Sequence, residues 1–210
     1  MRTRIKVCGI TRPADAVAAV EAGADYVGIV LTPSPRRLTL EGARAVRAAL
    51  PREAPLVGVF TDEPPETVTP IAASLELHAV QVAGWLGRPD DLACEVWHVL
   101  RGAELPDPAT LPMVPLTTYL LDAHDPVQAG GTGRQADWSW AKRAVDGGLR
   151  LFVAGGLNPG NVASLLLDVR PFGVDASSGL ESEVGKKSPE RIRAFIERVR
   201  EADSERPRRS

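Results

Sequence analysis

Two residues at the ends of apolar runs have side chains that can move protons. Cys8 stands where Arg4-Ile5-Lys6-Val7 gives way to Cys8-Gly9-Ile10-Thr11, and Asp122 closes the run Tyr119-Leu120-Leu121-Asp122. A thiol handed to a glycine turn can serve as a general base where positive charge or N–H donors favour its thiolate. A carboxyl at the end of a buried run can serve as a general acid, provided it has a proton to give. Each also has a plainer use, because a lone cysteine can fill a small core site and a strand-terminal aspartate can cap a turn. A third chemistry is anion binding, in the loops Ala154-Gly155-Gly156-Leu157 and Ala176-Ser177-Ser178-Gly179. Glycine and serine let backbone N–H groups approach a phosphate closely, although a glycine pair by itself marks only a turn. Asp175, just before the second loop, and Arg37, in the proline-pinned Thr32-Pro33-Ser34-Pro35-Arg36-Arg37, complete the candidates. The planar guanidinium of Arg37 suits a carboxylate or phosphate, while an arginine pair is equally at home on a solvated surface.

These residues become a site only if the elements between them bring them to one place. Apolar runs over Arg4 to Val7, Tyr26 to Leu31, Leu56 to Phe60, Ala79 to Val82, Val96 to Leu100, Tyr119 to Asp122, Leu149 to Val153 and Gly173 to Asp175 read as strands. The second is nearly continuous in its apolarity, the mark of a strand buried on both faces in a parallel sheet. Between them lie helical segments with start and stop signals. Pro13 opens the first and Gly23 ends it, Thr39 caps the second through Leu50, and a third ends near Leu75. A fourth begins at Pro89-Asp90-Asp91 and holds Cys94; Asp137 or Ser139 opens the sixth, Asn158-Pro159 the seventh, and Ser188 caps the last, from Pro189 to Arg200. Prolines 106, 108, 112 and 115 break any helix in the fifth position and degrade it to loop. Strands alternating with helices in this number predict an α/β fold, a single-domain (β/α)8 TIM barrel over residues 1–200, with the doubly wound open sheet as the competing arrangement. In a barrel, the residues just after each strand share one rim, so Cys8, Asp122, Asp175 and the two small-residue loops converge there. The glycine-rich stretch from Ala123 to Arg134 reads as a long functional loop, and residues 201–210 as a polar, frayed tail.

Composition narrows the function classes. A chain of 210 residues with 44% hydrophobic content can bury one sizeable core. A formal net charge of -2 offers no basic face for nucleic acid or an anionic membrane surface. The two cysteines, Cys8 and Cys94, lie far apart, and His78, His98 and His124 have no ligand-like spacing, so neither a disulfide framework nor a metal site is expected. No apolar stretch approaches the roughly 18 residues needed to span a bilayer. The expectation is a cytoplasmic enzyme acting on a small molecule. Lys186-Lys187 reads as solvated charge, and the four tryptophans as packing and rim residues.

The motifs also occur in the order of a known family. Lys6-Val7-Cys8-Gly9-Ile10-Thr11, Ala22-Gly23-Ala24-Asp25, Ser34-Pro35-Arg36-Arg37, Leu56-Val57-Gly58-Val59-Phe60, Leu121-Asp122, Gly130-Gly131-Thr132-Gly133 with Asp137-Trp138, Ala154-Gly155-Gly156-Leu157-Asn158-Pro159 and Val174-Asp175-Ala176-Ser177-Ser178-Gly179 resemble the phosphoribosylanthranilate isomerase family of tryptophan biosynthesis. The resemblance runs from Ile5 to about Val199. It implies an Amadori rearrangement of N-(5-phosphoribosyl)anthranilate to 1-(2-carboxyphenylamino)-1-deoxyribulose 5-phosphate, with no cofactor consumed. By the same resemblance Asp122 is the acid that protonates the ribose ring oxygen and Cys8 the base that removes the C2 proton. Arg37 and Asp175 then face the anthranilate end and the sugar, and Gly155, Gly156, Ser177, Ser178 and Gly179 hold the phosphate. Two positions depart from the pattern: the family usually reads Gln-Leu-His-Gly where this chain has Gln81-Val82-Ala83-Gly84, and the basic residue common on strand five has only His98 near its place. Two other readings remain open at this point. One is the sugar-phosphate isomerase of histidine biosynthesis, which resembles this chain except for an aspartate base where Cys8 stands; the other is a catalytically silent phosphate-binding barrel. Monomer and homodimer are equally compatible with the sequence.

Overall fold

The computed structural model describes residues 2–85, 87–101, 105–114, 117–122 and 138–205. Within them eight parallel strands close into a barrel: β1 (Arg4–Val7), β2 (Tyr26–Val30), β3 (Leu56–Val59), β4 (Ala79–Val82), β5 (Glu95–Leu100), β6 (Thr117–Asp122), β7 (Leu151–Ala154) and β8 (Gly173–Ala176). Each pairs with the next, and β8 returns to β1 with Lys6 opposite Asp175 and Val7 opposite Ala176. The open-sheet alternative is thereby excluded. All five residues of β2 are buried, as a strand walled by helices outside and side chains inside must be. At one end the interior is filled by Tyr26, Trp97 and Phe152, with Trp97 and Phe152 stacked at 4.5 Å between ring centroids. It is a packed core there, and no pore.

Six α-helices cover the barrel in the described residues: α1 (Pro13–Glu21), α2 (Leu40–Ala49), α3 (Pro65–Ser74), α4 (Ser139–Asp146), α5 (Val162–Asp168) and α6 (Pro189–Ser204). Thr39 caps α2 by accepting from the Gly42 amide at 3.1 Å, and Ser188 caps α6 by accepting from Arg191 at 3.2 Å. None of the helices is long and apolar enough to cross a membrane.

Several expected elements differ. The helix expected from Pro89 through Cys94 does not form; residues 87–94 make turns and irregular chain. Pro89 starts a turn whose Leu92 amide bonds back to the Pro89 carbonyl at 3.3 Å, and Arg88 donates to the Leu92 and Cys94 carbonyls. Leu92 covers the barrel at this point, almost fully buried, with Trp85 and Cys94 packed against the core beside it. The degraded fifth position contains one 3-10 turn, Pro108–Thr110. Asn158-Pro159 does not open α5: the Asn158 side chain accepts from Gly160 at 2.8 Å in a local turn, and the helix starts after Asn161. Ser139 opens α4, while Asp137 and the long loop from Ala123 to Arg134, with its Gly130-Gly131-Thr132-Gly133, lie outside the described residues. The boundary at residue 200 is also corrected. α6 continues to Ser204 with Ala202 buried, because Asp203 accepts from the Thr3 amide at 2.8 Å and from the Thr3 hydroxyl at 2.7 Å.

After β8 the chain adds a small antiparallel pair, β9 (Glu181–Glu183) and β10 (Lys186–Lys187), before α6. Its place on the rim matters for the site.

Candidate active site

Cys8 is the first residue past β1, only 8% exposed, and its amide donates to the Ala176 carbonyl at 2.9 Å. That bond fixes the thiol at the mouth of the barrel, beside the start of the β8 loop. Gly9 then turns with φ of +69°, a left-handed conformation that strains any side chain. Space excludes one as well, since a Cβ there would lie 2.6 Å from Arg36 Cδ and 2.7 Å from Ser177 Oγ. The Cys8-Gly9 turn, the loop after β2 and the loop after β8 therefore meet around a single glycine.

The arginine at this meeting point is Arg36, and its neighbour Arg37 has a different environment. The Ser34 hydroxyl accepts from the Arg36 amide at 3.1 Å, and Arg37 forms a bridge with Val30 that turns its side chain outward to solvent. Arg36 instead lies over Gly9 and grips Glu181 with both ends of its fork, Nε to Oε1 at 2.6 Å and NH2 to Oε2 at 2.7 Å. Lys187 completes the cluster. It is 1% exposed, and its ammonium donates to Glu181 Oε1 at 2.8 Å, to the Ser177 carbonyl at 3.2 Å and to the Ser177 hydroxyl at 3.4 Å. The reading of Lys186-Lys187 as solvated charge thus holds for Lys186 alone. Desolvation works against the Glu181 carboxylate, yet the hydrogen bonds from Arg36 and Lys187 outweigh it and bring its pKa down to about 2. Lys187, in turn, is lowered by its burial.

A second polar cluster lies deeper. Lys6, 0% exposed, donates to Asp175 Oδ2 and to Gln81 Oε1, both at 2.9 Å. Burial raises the pKa of Asp175, with Lys6 opposing the rise and the negative charge of Asp122 adding to it. Asp122 therefore lies close enough to act electrostatically on Asp175 from across the mouth. Its position is the last residue of β6, opposite Ala154 of β7 and partly exposed. The Asp175 Oδ1 atom is buried with no protein partner among the described residues, so it can accept from a bound hydroxyl. Burial likewise raises the Cys8 thiol, against the pull of Lys6.

The two small-residue loops are packed against each other. A Cβ on Gly179 would run into the Leu157 carbonyl oxygen and stand 2.9 Å from Asn158 Cβ, so only glycine lets the β8 loop close onto the β7 loop. Gly155 and Gly156 both have positive φ, of 95° and 69°, and Gly156 is exposed, as is Ser178. The result is a ledge of backbone beside Ser177, in the place where barrels of this type bind phosphate. On the far side of the rim Ala83 leaves a hollow of about 300 Å³, lined also by Asp62, Val99, Arg101 and Leu105. Among the described residues no group of three His, Cys, Asp or Glu side chains is placed to hold a metal ion.

The structure thus brings Cys8, Asp175, Ser177 and Gly179 around one mouth, with Asp122 on its opposite lip and Gly155-Gly156 on the adjoining ledge. Lys6, Arg36, Gln81, Glu181 and Lys187 join them without having been singled out by the sequence. Lys6 had a legible signal, a charge inside a strand whose neighbours Ile5 and Val7 are fully buried. For Lys187 and Glu181 the signal was only their nearness to the β8 loop.

Comparison with known proteins agrees with this geometry. The family profile described as N-(5'phosphoribosyl)anthranilate (PRA) isomerase matches residues 5–198. The N-(5'-phosphoribosyl)anthranilate isomerase of Desulforudis audaxviator is 41% identical over 207 residues, covering 95% of this chain and 99% of the relative. The crystal structure of phosphoribosyl anthranilate isomerase from Thermotoga maritima superposes with a TM-score of 0.79 at 35% identity, covering 95% of this chain and 99% of that one. A phosphoribosyl anthranilate isomerase solved in complex with reduced 1-(o-carboxyphenylamino)-1-deoxyribulose 5-phosphate has a TM-score of 0.75 at 33% identity, with coverage of 95% and 99%.

Proposed function

The chain belongs to the N-(5'-phosphoribosyl)anthranilate isomerase family, and we propose that it performs that isomerisation in the cytoplasm by acid–base catalysis at the mouth formed by Cys8, Asp122 and the β7–β8 loops. The observation that carries the proposal is the convergence of a thiol, two carboxyls and an anion ledge on one rim, with no reactive nucleophile beyond them needed. The substrate's phosphate rests on Gly155-Gly156 and Ser177-Ser178-Gly179, where backbone N–H groups and the hydroxyl of Ser177 offer donors. Arg36 stands where a carboxylate on the aromatic ring can compete with Glu181 for its fork. Asp175 Oδ1 accepts a sugar hydroxyl.

The rearrangement moves protons and consumes nothing. Asp122 gives a proton to the ribose ring oxygen; the C1–O bond breaks and the nitrogen lone pair forms the C1=N double bond of a Schiff base. Cys8, as thiolate, takes the proton from C2, whose electrons form C1=C2 while the iminium electrons return to nitrogen. The resulting enolamine becomes the ketone at C2 as C1 gains a proton and the C2 hydroxyl loses one, so that Cys8 gives up the proton it took and Asp122 regains the one it gave. A base acting on carbon benefits from a buried thiolate, because desolvation raises its proton affinity and nearby ammonium groups keep it ionised.

The test is a fluorescence assay for loss of phosphoribosylanthranilate. Wild-type chain is expected to turn over, and Cys8→Ala and Asp122→Asn each to lose at least about a hundredfold in kcat, the lower end of what a positioned acid or base supplies. A rate near wild type in either variant removes that residue from its role. Phosphate binding without any turnover by the wild type overturns the activity itself and leaves a silent barrel.

A further inference from the structure

Lys6 is a fully buried ammonium that the chemistry above does not use directly. Two of its three N–H groups are taken by Asp175 Oδ2 and Gln81 Oε1, each at 2.9 Å. On β1 it lies two residues before Cys8, and alternate residues of a strand share a face. The side chain opposite them on β2 is missing because residue 28 is glycine. A Cβ at Gly28 would be 3.0 Å from Cys8 Sγ and 3.0 Å from Lys6 Cε, so the lysine stem and the sulfur occupy neighbouring space over one bare strand position. Neither anchor is accidental in geometry: Asp175 is opposite Lys6 in the β1–β8 register, and Gln81 reaches it from β4 across the barrel.

We propose that Lys6, clamped by Asp175 and Gln81, is a positioning residue whose fixed charge sets the ionisation of Cys8. The proposal rests on the reading of Cys8 as the base. The charged groups facing the thiol are Lys6 from β1, Asp175 from β8, Lys187 from β10 and Arg36 from the loop after β2, with Asp122 of β6 acting through Asp175. Arg36 and Lys187 are both committed to Glu181. Lys6 is committed to Asp175, but loss of its charge leaves the thiol facing that carboxylate with only the Glu181-paired Lys187 and Arg36 to oppose it, so burial and Asp175 both disfavour the thiolate. Among the influences on Cys8, burial raises its pKa and Lys6 is the foremost to oppose that rise.

The experiment measures the thiol and the reaction separately. In a Cys94→Ser background, far-ultraviolet thiolate absorbance is followed against pH for the wild-type chain and for Lys6→Met, alongside the pH profile of kcat/KM. Lys6→Met is expected to raise the Cys8 titration midpoint by about 1–3 pH units, the range a close charge commands. The acidic limb of kcat/KM moves up by the same amount, turnover at neutral pH falls about tenfold or more, and activity recovers toward high pH. A merely structural lysine would lower the yield of folded protein and leave both midpoints in place. An unmoved thiol titration in folded Lys6→Met overturns the proposal. If that variant does not fold, Lys6→Gln, which keeps a hydrogen-bond donor for Asp175, is measured by the same criteria. A raised thiol midpoint with an unmoved rate profile upholds the coupling and removes instead the assignment of Cys8 as the base.

Discussion

Side-chain direction decides this site at the scale of single residues. Arg36 and Arg37 are adjacent in sequence and alike in chemistry, yet one lies over Gly9 in a fork with Glu181 and the other faces solvent. The first, beside Cys8, is the one we propose to meet the substrate's anionic group. Arg36→Leu is therefore expected to raise KM for phosphoribosylanthranilate by at least about tenfold, the cost of losing one charge-assisted contact, while Arg37→Leu stays within about twofold of wild type. Steady-state kinetics on the two variants checks this, and equal effects would return the role to either arginine. The same reasoning separates Lys187 from Lys186. The pair alternates across β10, so one ammonium is driven inward against Glu181 and Ser177 and the other remains in water.

At the scale of elements, the site is held by loops that are tied to one another more than to their own strands. Glu181 is the knot: it joins the loop after β2 through Arg36 and β10 through Lys187, and Lys187 in turn holds the Ser177 carbonyl of the β8 loop. Its folded-state pKa of about 2 lies below the ordinary glutamate value of 4.5. A depressed carboxylate contributes stability that is fully present above the unfolded value and is lost as pH falls through the folded one. Wild-type unfolding free energy is thus expected to decline between pH about 4.5 and about 2 with a contribution from Glu181. Glu181→Gln removes that contribution and, by leaving Lys187 buried without its counter-charge, lowers stability near neutral pH by ~3 kcal/mol. Chemical denaturation across pH measures both effects, and a variant with the wild-type acid slope would detach Glu181 from the knot. The helix expected at 89–94 belongs to this scale as well. Its helical signal, proline followed by two aspartates, is real, but the chain makes a turn there instead, and Arg88 donates to the Leu92 and Cys94 carbonyls.

At the scale of the whole molecule, the barrel is closed twice. β8 pairs with β1 in register, and α6 is fastened to the start of the chain where Asp203 accepts from the amide and hydroxyl of Thr3. This second closure explains why the helix runs past residue 200 into a stretch whose polar composition suggests fraying. Asp203→Ala is expected to cost about 1–3 kcal/mol, since it leaves the buried Thr3 without its carboxylate acceptor, with kcat unchanged. A thermal or denaturant melt of the variant gives the number directly, and a loss under about 0.5 kcal/mol would show that the polar stretch contributes little.

The sequence alone was enough for the alternation of strands and helices, the barrel that follows from it, the placement of Cys8, Asp122 and Asp175 at strand ends, and the pairing of two small-residue loops. All of these depend on patterns within a short window: apolar runs that need burial on both faces, glycines where the backbone turns, proline and hydroxyl caps where helices begin. The tertiary structure alone decided which arginine of Arg36-Arg37 and which lysine of Lys186-Lys187 face the mouth, that Lys6 is clamped inside the barrel, and that Glu181 ties three segments together. Those choices are set by partners far away in the chain. A side chain in a turn can point either way until Gly9 makes room for it and Glu181 receives it, and a lysine in a strand stays buried only where Asp175 and Gln81 arrive from other strands to meet its charge.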